Sequence, residues 1–270
     1  MKTILITGAT DGIGRETARQ LLALGHRVLL HGRTRERAQQ TLEGFGRGAG
    51  APTAVPVWGD LAEMRQVLAL AEQVKRQTPV LDVLLHNAGV YPHQRRLTPD
   101  GFETTMAVNY FAPFLLTQAL LETVRASAQG RIVTVSSIAH QGGSLDLQDL
   151  TFARRFDGYT AHATSKLANL LFTRALARRL AGTPATAHCL HPGVIDTKLL
   201  RGGFGMGGAP VAEGAQTSVY LATADAVRTV TGQYFIDRRP VQPSALARDD
   251  RLAEALWQAS TAALEPFLAR

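Results

Sequence analysis

The sequence predicts an α/β fold of the Rossmann type, a doubly wound and mainly parallel seven-stranded sheet with helices on both faces. Two observations carry this. Short apolar runs alternate with amphipathic stretches along the 270 residues, the pattern of parallel strands each returned by a helix. The first run stops in a glycine-rich turn, Thr7-Gly8-Ala9-Thr10-Asp11-Gly12-Ile13-Gly14, with a helical segment directly after it, which is where such sheets bind a dinucleotide.

In chain order, the strands are expected at Thr3 to Ile6, Arg27 to Leu30, Ala54 to Val57, Val83 to His86, Arg131 to Val135, Thr186 to Leu190 and Gln233 to Ile236. Between them, apolar residues recur three and four positions apart, and this period predicts helices beginning near Ile13, Arg35, Leu61, Phe102, Thr160, Ala212 and Arg251. Two stretches break the rhythm and are expected as long loops at the carboxyl edge of the sheet, the side on which such folds hold ligands. One runs from Ala139 to Gly158. The other runs from Leu199 to Pro210, and its five glycines make it either a mobile lid or a flexible connector. The length is compatible with a single domain spanning residues 1–270.

Composition narrows the function. The chain is 45% hydrophobic and 19% charged, with a formal net charge of +7, an ordinary globular makeup well supplied for a core. Basic residues such as Arg174, Arg178 and Arg179 are scattered among acids along helical stretches, so no nucleic-acid-binding arm is expected. The opening apolar run breaks at Gly8, too early for the core of a secretory signal. No run of about twenty apolar residues predicts a membrane span. Cys189 is the only cysteine, which excludes an intramolecular disulfide and a cysteine-based metal site; no metal is expected, and a reducing cytoplasm fits.

Each glycine of the turn has a physical task. Gly8 allows the tight turn, Gly12 the approach of backbone to a pyrophosphate, and Gly14 the packing of helix on strand. The helix then offers free N–H groups and a positive dipole end to the phosphates. The identity of the dinucleotide follows from charge. An NAD-selective site places an acid at the end of the second strand, where it would repel a 2′-phosphate. Here the segment reads Leu29-Leu30-His31-Gly32-Arg33. Arg33, helped by Arg15 at the start of the first helix, is expected to grip that phosphate, so NADP(H) is preferred over NAD(H).

The spacing Thr-Gly-x-x-x-Gly-x-Gly resembles the short-chain dehydrogenase/reductase family, and further motifs follow in the family's order over most of the chain. Asp60-Leu61 resembles the pair that meets the adenine, and Asn87-Ala88-Gly89 the family's Asn-Ala-Gly turn. Asn109 matches the helix asparagine of the catalytic set, and Ser137 and Lys166 its serine and lysine. Pro192, Gly193, Ile195 and Thr197 fall in a segment that resembles the one meeting the nicotinamide carboxamide. The resemblance implies an oxidoreductase acting on a small-molecule alcohol or carbonyl. In it the serine orients the carbonyl, a tyrosine transfers the proton, the lysine binds the nicotinamide ribose and the asparagine holds a water. It also implies a homodimer or homotetramer through the helices near Phe102 and Lys166. The 25 positions from Ser137 to residue 162, with the sequence on either side, resemble the retinol dehydrogenase and WW-domain oxidoreductase branch, which implies an apolar substrate.

One position departs from the pattern. Four residues before Lys166 stands His162, not tyrosine. That spacing keeps the two side chains on one helix face. An imidazole titrates near 6.5 against about 10 for a phenol, and the neighbouring lysine pushes it lower. The neutral form suits a base in alcohol oxidation, whereas carbonyl reduction needs a proton donor. Two readings therefore stand: an oxidoreductase using His162, or an NADPH-binding sensor or partner-binding protein with weak or absent turnover. Tyr159, two turns before Lys166, offers a third route for the proton. His140 and His191 are expected in structural roles.

Overall fold

The computed structural model describes residues 1–45 and 53–268. It contains one sheet in the order β3-β2-β1-β4-β5-β6-β7-β8. The strands are β1 (Thr3–Ile6), β2 (Arg27–Gly32), β3 (Ala54–Trp58), β4 (Val83–His86), β5 (Arg131–Val135), β6 (Thr186–His191), β7 (Gln233–Ile236) and β8 (Arg239–Val241). The first seven are parallel, and β8 runs antiparallel to β7. The α/β Rossmann class is thus as expected, with eight strands where seven were predicted. The eighth escaped because its hairpin turn, Asp237-Arg238, takes positive φ (48° and 63°) without a glycine to signal it. Pro56 and Pro240 are tolerated because both lie on edge strands.

The helices are α1 (Gly12–Ala23), α2 (Arg35–Glu43), α3 (Met64–Gln77), α4 (Thr104–Met106), α5 (Ala112–Arg125), α6 (Gly158–Arg179), α7 (Lys198–Phe204), α8 (Val211–Thr223), α9 (Asp250–Ala263) and α10 (Glu265–Leu268). The seven expected starts lie within three residues of those of α1, α2, α3, α4, α6, α8 and α9, whereas α5, α7 and α10 were not expected; side-chain caps set those of α1, α2, α6 and α9. Asp11, Thr34, Asp157 and Asp249 each accept from a backbone N–H of the first turn. The stretch 199–210 is not wholly loop: Thr197 caps α7, whose chain stops at Gly205 in the left-handed region. The expected loop from Ala139 to Gly158 begins as a 3₁₀ turn over Ile138–Gly142 and ends on the first residue of α6.

Alternate strand residues serve two cores. Leu5, Leu29, Leu84 and Ile132 face α3, α5 and α6, while Ile4, Ile6, Leu30 and Val133 face α1 and α8. Helix α9 packs over the outer face of α5 and α6. Its Trp257 meets Phe114 (4.8 Å between centroids) and Phe172 (5.9 Å), and Arg179 lies 4.0 Å above it. Ser260 and Tyr110 share a buried 2.6 Å hydrogen bond. The strand order reverses between β1 and β4, which opens a crevice at their carboxyl ends.

Candidate active site

A cavity of about 690 Å³ occupies that crevice. At one end lies the glycine turn. Gly8 and Gly12 take φ of 66° and 51°, a region that penalises side chains. A Cβ on Gly14 would collide with the Gly8 carbonyl and the Asn87 amide. Thr7 works from beneath: its hydroxyl accepts from the N–H groups of Asn87 (3.0 Å) and Ala88 (3.1 Å). Asn87 returns its amide to the carbonyls of Thr7 (2.9 Å) and Gly8 (3.2 Å). The Asp11 carboxylate accepts from Gly12 N–H and pairs with Lys198 of α7, which holds its pKa below the usual carboxylate range.

His31 was read only as the absence of an acid, yet it ties three strand ends together. Its Nδ1 accepts from Gly8 N–H at 3.0 Å, so its Nε2 carries the proton and donates to the Gly59 carbonyl at 2.9 Å. Burial holds its pKa down to about 4, so the clamp is neutral.

Arg33 lines the cavity, 3.9 Å from Asp60 and well exposed. Leu61 lines it too. Arg15 does not. Its guanidinium lies against the Phe45 ring, 5.8 Å from the centroid, and lines a neighbouring hollow. The second arginine lining the cavity is Arg37, in the first turn of α2. Sequence reasoning missed it, although its place just past the strand end was a usable signal.

The cavity wall also carries Ala88 beside Gly8 and Thr197 beside Gly12, together with Gly89 from the β4 turn, Ser137, His162 and Lys166, and Pro192, Gly193 and Ile195 after β6. Lys166 is 5% exposed and its Nζ donates to the Val135 carbonyl at 3.0 Å; burial brings its pKa down to about 8. The Ser137 hydroxyl oxygen accepts from Ala139 N–H at 3.1 Å, which leaves its proton free to donate. Asn109 lies behind the cavity wall, in a π-helical segment, Ala107–Phe111, between α4 and α5. Its side chain bridges the Val90 N–H and carbonyl and the Ser165 hydroxyl.

His162 is 4% exposed. Tyr91 and Phe204 flank its ring, with centroids 5.2 and 5.7 Å away. Burial first, then the Lys166 charge, hold its pKa down to about 3 against the opposing effect of the Val90 carbonyl. The imidazole is neutral across the ordinary pH range. Tyr159 belongs to the first turn of α6; it is 45% exposed and lines the cavity beside Gly142. His140 bonds to the Ser137 carbonyl and accepts from Ser244 N–H, and His191 accepts from Ile138 N–H, so both buttress the 3₁₀ turn.

Among the described residues no cluster fit for a metal ion is found, and no helix is long and apolar enough to cross a membrane. Of the residues expected at the site, the cavity wall gathers all but Thr7, Arg15 and Asn109.

Comparison with known proteins agrees with this arrangement. The sequence profile described as short chain dehydrogenase matches residues 2–203. Human retinol dehydrogenase 14 is 39% identical over 96% of this chain and 85% of its own length, and human retinol dehydrogenase 12 is 37% identical over the same shares. Among solved structures, an uncharacterized protein from Mycobacterium paratuberculosis superposes with a TM-score of 0.81 at 32% identity, covering 98% of this chain and 94% of that one. A short chain dehydrogenase structure from Escherichia coli CFT073, complexed with NADPH, gives 0.73 at 28% identity, covering 88% and 97%.

Proposed function

Because this chain belongs to the short chain dehydrogenase family, and so to its oxidoreductases, we propose that it uses NADP(H) to interconvert an apolar alcohol and its carbonyl partner, with His162 at the proton-transfer position. The observation that carries this is the cradle at the glycine turn. Gly8 and Gly12, both at positive φ, line the same cavity as Gly89, Lys166 and Ser137.

The residues fit a dinucleotide. The amino terminus of α1, with Gly12 to Gly14, would hold the pyrophosphate. Asp60 and Leu61 flank the adenine side, and Lys166 would meet the nicotinamide ribose. Arg33 and Arg37, with no acid at the end of β2, favour a 2′-phosphate. The nicotinamide supplies two-electron redox chemistry when bound. Ser137 orients the substrate oxygen, His162 exchanges its proton, and Asn109 steadies the Val90 backbone against which His162 rests.

Four exposed apolar residues at the cavity rim, Ile138, Tyr159, Val194 and Met206, support an apolar substrate. We further propose a single domain over residues 1–270. The buried, unpaired Cys189 supports a reducing compartment such as the cytoplasm. Assembly through α5 and α6 is not supported, since α9 covers that face.

The second reading, an NADPH-binding protein with little turnover, is favoured by one observation: a neutral His162 is a poor proton donor. NADPH and NADH titrations, followed by a screen of carbonyls with NADPH and of alcohols with NADP⁺, separate the two. We expect tighter NADPH binding and turnover that His162→Phe abolishes and Tyr159→Phe spares. Tighter NADH binding refutes the cofactor assignment. Turnover by His162→Tyr alone establishes the second reading.

A further inference from the structure

Two segments of the cavity wall lie past the ends of the sheet ladder. The β1–β2 ladder stops at Ile6 opposite Leu30, and the β2–β3 ladder at Gly32 opposite Trp58. Beyond these pairs come the glycine turn after β1 and the Gly59-Asp60-Leu61 loop after β3. β2 stands between them, which sets them about 10 Å apart, two strand spacings. Since β3 is an edge strand, β2 is also the loop's only neighbour in the sheet.

One residue of β2 bonds to both segments. The His31 carbonyl accepts from Ala9 N–H at 2.9 Å, and its Nδ1 accepts from Gly8 N–H at 3.0 Å. Across the ring, Nε2 donates to the Gly59 carbonyl at 2.9 Å, while the Gly59 N–H donates to the Gly32 carbonyl at 3.2 Å. The Gly8 N–H can only donate, so Nδ1 is the acceptor and the ring proton is on Nε2. Partners on both sides thus fix the tautomer. The ring is 3% exposed and forms part of the cavity wall. There is little slack beside it: a Cβ on Gly32 would lie 2.9 Å from both the Ala38 nitrogen and the Thr10 methyl. Each segment also has a support of its own. Thr7 and Asn87 brace the turn, and Asp60 N–H donates to the Gln66 side chain at 2.8 Å. What the imidazole adds is the spacing between them.

We propose that His31 is a positioning residue for the coenzyme: its ring sets the gap between the turn that holds the diphosphate and the loop that flanks the adenine. A ligand touching both meets a site already spaced for it, so less of its binding free energy is lost to ordering the protein. A ligand touching the loop alone gains little. The inference rests on the dinucleotide part of the proposed function.

Calorimetry on the full chain with NADPH, NADH and adenosine 2′-phosphate tests it. His31→Ala removes both side-chain bonds and should weaken NADPH and NADH to the same extent, at least about tenfold, the loss expected when a buried donor and acceptor are left unpaired. Adenosine 2′-phosphate has no diphosphate to reach the turn, and its affinity should stay within about threefold of the parent value. A general loosening of the fold would lower all three together. His31→Asn keeps an acceptor near Nδ1 and His31→Gln a donor near Nε2, so each should fall between the parent and His31→Ala; these two decide the matter where His31→Ala does not fold. Nitrogen-15 NMR of the parent, with His31→Asn to assign the signal, should show a pyridine-type Nδ1 and a pyrrole-type Nε2. The proposal is overturned by a proton on Nδ1, by NADPH binding within about threefold of the parent in every folded variant, or by equal losses for NADPH and adenosine 2′-phosphate. A parent that binds neither coenzyme refutes the dinucleotide reading itself.

Discussion

Five histidines are buried in the neutral state, and this predicts a steep acid transition. His31, His86, His162, His188 and His191 are between 0 and 7% exposed. Burial, the largest cause in each, holds their pKa values at about 3 to about 4. A group whose folded pKa is depressed adds stability above its unfolded pKa and loses it as pH falls toward the folded one. The unfolded chain binds protons from about pH 6.5 downward while the folded chain refuses them, so stability falls by about 1.4 kcal/mol per histidine per pH unit. Summed, the loss is about 7 kcal/mol at pH 5.5 and about 10 kcal/mol at pH 5. Against a typical domain stability of about 5–15 kcal/mol, the midpoint should fall between about pH 4 and 6. Circular dichroism and tryptophan fluorescence followed together through an acid titration give the midpoint, and urea titrations at several pH values give the slope. His188→Phe, which replaces a ring with two unpartnered nitrogens, should flatten the slope by about one proton. A chain still folded at pH 3.5, or a slope below about two protons, refutes the reasoning.

Other outcomes follow from the same geometry. Arg33→Glu and Arg37→Glu should each weaken NADPH binding about 10- to 100-fold, the worth of a charge-assisted hydrogen bond, and leave NADH binding within about threefold; Arg15→Ala should leave both nearly unchanged, as fluorescence titration would show. Gly14→Ala must push apart the Gly8 carbonyl and the Asn87 amide, with an expected loss of about 2–4 kcal/mol in stability by urea titration and coenzyme binding weakened at least about tenfold. Sedimentation should find the parent monomeric. Trp257→Ala should cost about 3–5 kcal/mol and promote self-association by uncovering Phe114 and Phe172.

The strands were legible because each is a compact apolar run, and β1, β4, β5 and β7 begin and end at the residues periodicity indicates. Helix starts were less so, because the capping residue lies outside the apolar period: Asp157 starts α6 two residues before the repeat begins. β8 and α7 were hidden, the first by a turn without glycine and the second by the glycines that suggested a loop. At the site, residues whose role is chemical were readable from motif spacing. Residues whose role depends on where a neighbour lies were not. His31 is a clamp only because Gly8 and Gly59 come to its two nitrogens. Arg37, and not Arg15, joins Arg33 at the cavity, while the Arg15 guanidinium lies over the Phe45 ring.

Position 162 separates what the fold requires from what the chemistry requires. Helix α6 is anchored by Asp157 at its start and by Leu167, Leu171 and Phe172 in the core, none of which depends on the side chain at 162. The reacting end, by contrast, is sensitive to charge. Lys166, with its pKa at about 8, is mostly cationic at neutral pH, and a second cation one helical turn away in a buried wall would be strongly disfavoured. A proton on His162 is therefore disfavoured. The Asn109 side chain is committed to Val90 and Ser165. With histidine where the family pattern has tyrosine, the position therefore carries a ring that stays neutral beside the Lys166 charge.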